Sequence, residues 1–438
     1  MNDPPIKINE THKQFHSLHP RYRWLDQLRG VIVFFLLIAF LTWQFSSTLG
    51  LGLPFGVPPL GPTWMNHGFK YSNSNPPIIT VIDMGSSLFM FVLGISSAIS
   101  FNSKSKKIGL WYAWVSGISR FFALLWVNQV TKIFYRILPD WKLTRFDVIC
   151  ILSWIFITTL TIILRITLFK KSNEKILLML GWSVLSVIIW FPTVEENIWT
   201  IFFNETLAYL AWASLFAVFF LTLVKNPDRR ILASFGLFAI HIGLWELAKT
   251  KLTHPTHWFF EVLPGTPLDV VGIPFNIINM TAIAISATCV SDWLLKSYPT
   301  QLDGIKKRIL PYWVFILCFH FVVDFLQPAR HDGITASLAA LSIFFAIFFL
   351  IMFYAWDTYF DAKMPFLTPL GRNALLMFLL QGIYLFFYGF FWFNAYDFRR
   401  RFPGLLGNAI GLGLFFVPIA LLICIAWVLD RFKIYLKF

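Results

Sequence analysis

Leu25-Asp26-Gln27-Leu28-Arg29-Gly30 stands at the mouth of an uninterrupted apolar run, Val31 to Phe40. Ten consecutive apolar residues opening directly from a charged sextet read as the start of a membrane helix. Asp26 and Arg29 are three apart, so on a starting helix they share one face. The carboxylate suits a helix N-terminus, whereas the guanidinium is adverse there unless an anion meets it. The entrance to the first apolar helix thus carries a cation whose anion is either Asp26 itself or a ligand phosphate.

Similar runs fill the rest of the chain. Of its 438 residues, 57% are hydrophobic and only 13% charged, with a mean hydropathy of +0.67; a soluble domain would carry about a quarter charged residues. Runs of about 18 to 25 apolar residues are each long enough to span a bilayer. In hydrocarbon the backbone must bond within its own segment, so these runs are helices. The expected fold is an all-α polytopic integral membrane helical bundle of about twelve transmembrane helices, eleven being allowed. They cover about 30–48, 80–101, 110–134, 147–168, 175–192, 203–224, 231–249, 270–292, 309–327, 335–355, 373–393 and 406–429. Residues 1–29 form an N-terminal segment, 30–430 the membrane domain and 431–438 a tail. Residues 1–29 contain no apolar core of a signal peptide. Cys150, Cys289, Cys318 and Cys424 fall within spans and read as small core residues rather than a disulfide framework.

The formal net charge of +14 is read as topology, not as nucleic-acid binding. With the N-terminus cytoplasmic, the inner segments hold 23 Lys and Arg and the outer loops 11, with Arg120 and Arg165 inside spans. Both termini are then cytoplasmic, in an inner membrane if the source is prokaryotic. Short basic loops, among them Lys104, Lys106 and Lys107 and the pair Arg229 and Arg230, mark the inner side. The outer segments 49–79 and 250–269 are the longest, and the first is too rich in Gly and Pro for a helix.

Ionisable groups within spans are costly and therefore functional candidates. Asp83, Asp147, Glu205, Glu246 and Asp324 lie toward the outer ends of their spans, with His241, His320, Asn276 and Asn279 at similar depth. They either line an outward-facing polar cavity or simply meet interfacial water. His67, in Trp64-Met65-Asn66-His67-Gly68, is a base or acyl carrier if Asp83 orients it, and otherwise a solvated loop residue. Arg120, mid-span, requires an acid, helix-end carbonyls or a bound anion. Arg372, in Pro369-Leu370-Gly371-Arg372-Asn373-Ala374-Leu375, puts a second cation at a helix start, to grip phosphate or to serve as ordinary positive-inside charge. No P-loop, GxGxxG, HExxH or CxxC occurs, and His254 with His257 is too sparse for a metal site, so no metal is expected.

Four stretches in order carry a resemblance. Leu25 to Gly30 resembles the Asp-x-x-Arg-Gly opening of the transmembrane acyltransferase superfamily, in particular its heparan-α-glucosaminide N-acetyltransferase-like group. Thr80 to Gly94, containing Asp83, resembles that family's second-span stretch. Phe146-Asp147-Val148-Ile149 is similar to its fourth-span entry, and Pro369 to Leu375 to its late Pro-Leu-Gly-Arg-Asn-Ala-Leu motif, which related YeiB-like membrane proteins largely share. The resemblance implies acyl-CoA, with acetyl-CoA as the expected co-substrate, bound from the cytoplasm. It implies a glycan or glycolipid acceptor on the outer side, and it gives the transferring loop histidine as His67. It also gives motif status to Asp26, Arg29, Gly30, Asp83, Asp147, Arg372 and Asn373. Three departures are visible: Ser86 or Ser87 replaces the family's second-span proline, His67 lies further from Asp83, and the polar Asn that often ends the family's first span has no clear equivalent in Ala39-Phe40-Leu41-Thr42.

The expected function is therefore acyl transfer, with His67 and Asp83 catalytic and Arg29, Arg120 and Arg372 holding the co-substrate's phosphates. Membrane lipids are the other expected partner, and a homodimer is allowed for. The alternatives are a proton-coupled secondary transporter, which intramembrane acids and histidines would equally suit, and a non-catalytic relative.

Overall fold

The computed structural model describes residues 22–47, 84–137, 206–249, 275–329, 334–361, 363–374, 376–377, 380 and 419–434. All regular structure among them is helical. In chain order the helices are α1 (Arg23–Ser47), α2 (Gly85–Lys107), α3 (Leu110–Ile137), α4 (Thr206–Leu223), α5 (Pro227–Lys249) and α6 (Phe275–Leu295). They continue with α7 (Gln301–Leu326), α8 (Ala336–Phe360), the short α9 (Leu367–Arg372) and α10 (419–431). By length and composition α2, α6, α7 and α8 can each cross a membrane. The stretches 147–168 and 175–192, read from the sequence as spans, lie outside the described residues.

Local chemistry sets the helix boundaries. Gly109 has φ +122°, a conformation that L side chains rarely adopt, and it turns α2 directly into α3. The last turn of α2 gathers Lys104, Lys106 and Lys107, cations that complement the negative end of the helix dipole. The Thr335 hydroxyl caps α8 by accepting from the Leu338 amide. In α7 a π-helical turn at Ile305–Ile309 precedes Pro311. Proline lacks an amide hydrogen and crowds the carbonyl four residues back, and the widened turn absorbs that conflict.

The core is arranged around α6. Buried side chains make up 94% of its apolar stretch, and it packs on α2, α4, α5, α7 and α8. Small residues allow this closeness: a Cβ added at Gly94 of α2 would lie 2.7 Å from the Ala287 Cβ and 2.8 Å from the Ala284 carbonyl oxygen. In α7, by contrast, only 28% of the apolar stretch is buried. Val314, Phe315, Phe321, Val322 and Phe325 are exposed along it, Phe325 at 90%. A row of bare aromatic and branched side chains suits hydrocarbon, not water.

Side-chain pairs fix the helix directions. Trp313 stacks on Phe344 while His320 meets Ser337, so α7 and α8 are antiparallel. Arg29 meets Ser96 while Leu36 meets Gly85, so α1 and α2 are antiparallel. Gly117 meets Val218 and Phe121 meets Trp212, which makes α3 and α4 antiparallel.

Two sequence expectations are corrected. Arg230, read as a loop cation, is 1% exposed. Pro227 opens α5 and the Asn226 side chain accepts from the Asp228 amide at 2.8 Å. The helix therefore starts early, and Arg230 turns inward onto Asp292 and Thr288 of α6. Of the cysteines, Cys289 is buried, but Cys318 and Cys424 are exposed, because they occupy outward faces of α7 and α10. Cys150 lies outside the described residues.

Candidate functional site

Two sequence motifs from opposite ends of the chain meet at a glycine crossing. A Cβ at Gly30 of α1 would come 1.9 Å from the Leu367 carbonyl oxygen, and one at Gly371 of α9 would come 1.7 Å from the Asp26 carbonyl oxygen. Each glycine thus admits the other segment's backbone, which no side chain would allow. The approach delivers Arg372 to Asp26.

Asp26 is 1% exposed and is compensated from two sides. Its carboxylate accepts from Arg29 Nη1 at 3.1 Å and from Arg372 Nε at 3.3 Å. Arg372 also presents Nη1 to both oxygens of Asp430, at 2.9 and 3.0 Å. One guanidinium therefore joins the start of α1 to the end of α10. Nearby, Arg23 pairs with Asp357 and Asp361, tying α1 to the end of α8. The Arg23 guanidinium holds the exposed Asp361 carboxyl below the usual carboxylate range. Asn373 is fully buried; its amide donates to the Pro369 carbonyl at 3.4 Å, and its oxygen has no partner among the described residues.

Beside this junction runs a seam of cations and hydroxyls. Arg29 Nη2 donates to Ser96 Oγ, and Arg120 Nη1 donates to Ser97 Oγ at 2.6 Å. The two serines give their own protons to the Val92 and Leu93 carbonyls, at 2.6 and 2.7 Å. Their lone pairs are thereby left facing the guanidinium groups. One face of α3 carries Ser116, which accepts from Lys104, together with Ser119 and Arg120. Ser119 Oγ is buried with no partner among the described residues. Among those residues no carboxylate pairs with Arg120 or Lys104. Two guanidinium groups, an ammonium and several hydroxyls on three packed helices can take up a phosphate through charge-assisted hydrogen bonds.

A second polar cluster lies at the opposite end of α7. Gln327 joins His241 of α5 to the start of α8: its amide nitrogen is 3.1 Å from His241 Nδ1, and its oxygen accepts from the Ala336 amide at 2.8 Å. Ser337 Oγ donates to Asp324 at 2.6 Å and lies 3.0 Å from His320 Nδ1. Asn279 donates to the Ile334 carbonyl at 2.6 Å. Glu246 is exposed on α5.

Of the residues singled out in the sequence, Asp26, Arg29, Gly30, Arg372 and Asn373 are brought together, with Arg120 close by through the Ser96–Ser97 pair. His67, Asp83, Asp147 and Glu205 lie outside the described residues. Sequence reasoning missed Ser96 and Ser97, which carried no signal beyond being small and polar. It also missed Asp430, whose signal was an acid closing the last apolar run. No protein-family model and no curated protein matches this chain.

Proposed function

We propose that the chain is an integral membrane acyltransferase that passes an acyl group, acetyl in the first instance, from acyl-CoA on the cytoplasmic side to a hydroxyl or amino group of a glycan or glycolipid acceptor on the outer side. The observation that carries this reading is the pairing of Arg29 with Ser96 and Arg120 with Ser97, with Lys104 a short way along the same helix. The seam is cationic and rich in hydroxyls, as the phosphates of a CoA require. The motif order supports it, because Asp26-x-x-Arg29-Gly30 and Pro369 to Asn373 pack on one another.

In this reading His67 accepts the proton of the acceptor hydroxyl or amine, oriented by Asp83. The acceptor's oxygen or nitrogen bonds to the thioester carbonyl carbon. The carbon–sulfur bond breaks, and the CoA thiolate takes the proton that His67 held. The twelve-span topology with both termini cytoplasmic belongs to the same proposal. It requires α3 and α4 to be antiparallel and α10 to end beside the start of α1, and both arrangements are present.

The deciding experiment supplies acetyl-CoA and a glycan acceptor panel to the full chain in proteoliposomes and follows free CoA thiol. Acceptor-dependent thiol release that is lost in His67→Ala is expected. Absence of thiol release with every acceptor would overturn the reading.

The second reading, a proton-coupled transporter, is favoured by the buried His241–Gln327 contact and the His320–Ser337 contact with half-buried Asp324, which place titratable groups within the bundle. Proton-dependent solute uptake without thiol release would select it.

A further inference from the structure

The segment leading into α5, the end of α6 with the residues after it, and the first turns of α7 leave an open cavity of about 420 Å³. Its lining includes Lys225, Asn226, Asp228, Ser297, Tyr298 and Arg308. Arg308 is the organising side chain: Nε donates to the Tyr298 hydroxyl at 3.1 Å and Nη2 to Asp228 at 3.2 Å. Lys307 reaches back over the Tyr298 ring at 5.7 Å. The lining sets two cations, Lys225 and Arg308, against one carboxylate, Asp228, and among the described residues no carboxylate pairs with Lys225, so the cavity carries an excess of positive charge.

The cavity continues into an apolar face. Phe235 follows Asp228 by seven residues on α5, and Phe315 follows Arg308 by seven on α7, so each lies about two helical turns beneath its charged counterpart. The ion pair Asp228–Arg308 therefore sits above the ring pair Phe235–Phe315, whose centroids are 5.3 Å apart. Phe315 is exposed, as is Leu232, which lies one helical turn after Asp228 on the same face of α5. A ligand that matched both levels would have an anionic head and an acyl tail.

From this layering we propose that the cavity is a binding site for an anionic phospholipid. The headgroup phosphate lies between Lys225 and Arg308, with the Tyr298 and Ser297 hydroxyls in reach, and the chains run down the Phe315 and Leu232 surface. Basic pockets between membrane helices select anionic headgroups through local charge, and the apolar wall adds area that a free phosphate cannot use. The site is separate from the seam of Arg29 and Arg120 and does not depend on the acyl-transfer reading.

Native mass spectrometry of the full chain released from micelles tests this, with phosphatidylglycerol, phosphatidylcholine and inorganic phosphate as probes. The first bound phosphatidylglycerol is expected to be favoured over phosphatidylcholine by about tenfold or more, and inorganic phosphate at the same concentration is not expected to displace it. Lys225→Gln combined with Arg308→Gln is expected to remove that preference. Lys363→Gln, an exposed cation elsewhere, should leave it intact. Equal retention of the two lipids, displacement by inorganic phosphate, unchanged retention in the double variant or equal loss in Lys363→Gln would each overturn the proposal. Lys225 is exposed and outside any helix. The single variant Lys225→Gln therefore reads the same interaction, as a loss of about threefold, even if Arg308 proves necessary for folding; full retention there would also overturn it.

Discussion

Gly371 approaches the Asp26 backbone so closely that a methyl group on its Cα would stand 1.7 Å from the Asp26 carbonyl oxygen. The opposing atom is main chain, so no rotamer change can relieve the clash. Gly371→Ala and Gly30→Ala are each expected to force α1 and α9 apart and to destabilise the bundle by about 1–3 kcal/mol. Thermal unfolding in detergent, followed by tryptophan emission, checks this. Gly236→Ala, on an open face of α5 with no atom within 4 Å, should leave the transition unmoved.

Asp26 neutralises two guanidinium groups from a buried position. Asp26→Asn is expected to cost about 3–5 kcal/mol, because it leaves Arg29 and Arg372 without their shared anion. The double variant Asp26→Asn with Arg372→Gln should cost less than the two single variants together. Simple additivity of the three unfolding free energies would show that the contact carries no coupling.

The seam predicts a split between binding and turnover. On the acyl-transfer reading, Arg29→Ala and Arg120→Gln should raise the KM for acyl-CoA by about tenfold each, with little change in kcat, because that reading assigns both guanidinium groups to the phosphates and the chemistry to His67. Ser97→Ala should give a smaller rise, since Arg120 then loses only its hydroxyl acceptor. Steady-state kinetics at varied acyl-CoA distinguish these; an unchanged KM in both arginine variants would leave the cations as topology charge alone.

The Arg23–Asp361 pair sets a pH dependence. The Asp361 carboxyl is held below its ordinary value by the Arg23 guanidinium. A lowered carboxylate contributes its stabilisation in full above the unfolded value, near 3.9, and loses it as pH falls through the folded value. The difference in melting temperature between the parent chain and Asp361→Asn should therefore be constant from neutral pH to about pH 5 and shrink below about pH 4. A difference that grew on acidification would contradict the pairing.

How far the sequence foretold these contacts depended on how local the cause was. The helical class followed from apolar runs, since backbone satisfaction in hydrocarbon leaves no other choice for them. The Asp26–Arg29 contact was also legible, because residues three apart on a helix must meet. Arg372 could be flagged as a cation at a helix start, but its partners Asp26 and Asp430 could not be named, because nothing local links them. Arg230 misled for a similar reason. A basic pair at a span end reads as solvated charge, and only the partner on α6 reveals that one of the two is buried. Ser96 and Ser97 carried no signal at all, since a serine in an apolar helix usually serves its own backbone, and these two also serve arginines from neighbouring helices.

The junction of Asp26, Arg372 and Asp430 also constrains the order of assembly. A ribosome delivers Asp26 long before Arg372 and Asp430, so the first helix forms with Arg29 beside that acid but without the two partners that complete the junction. The bundle can close only when the end of the chain has arrived. A chain truncated before residue 372 would then be held open at one corner, presenting a buried acid to quality-control proteases.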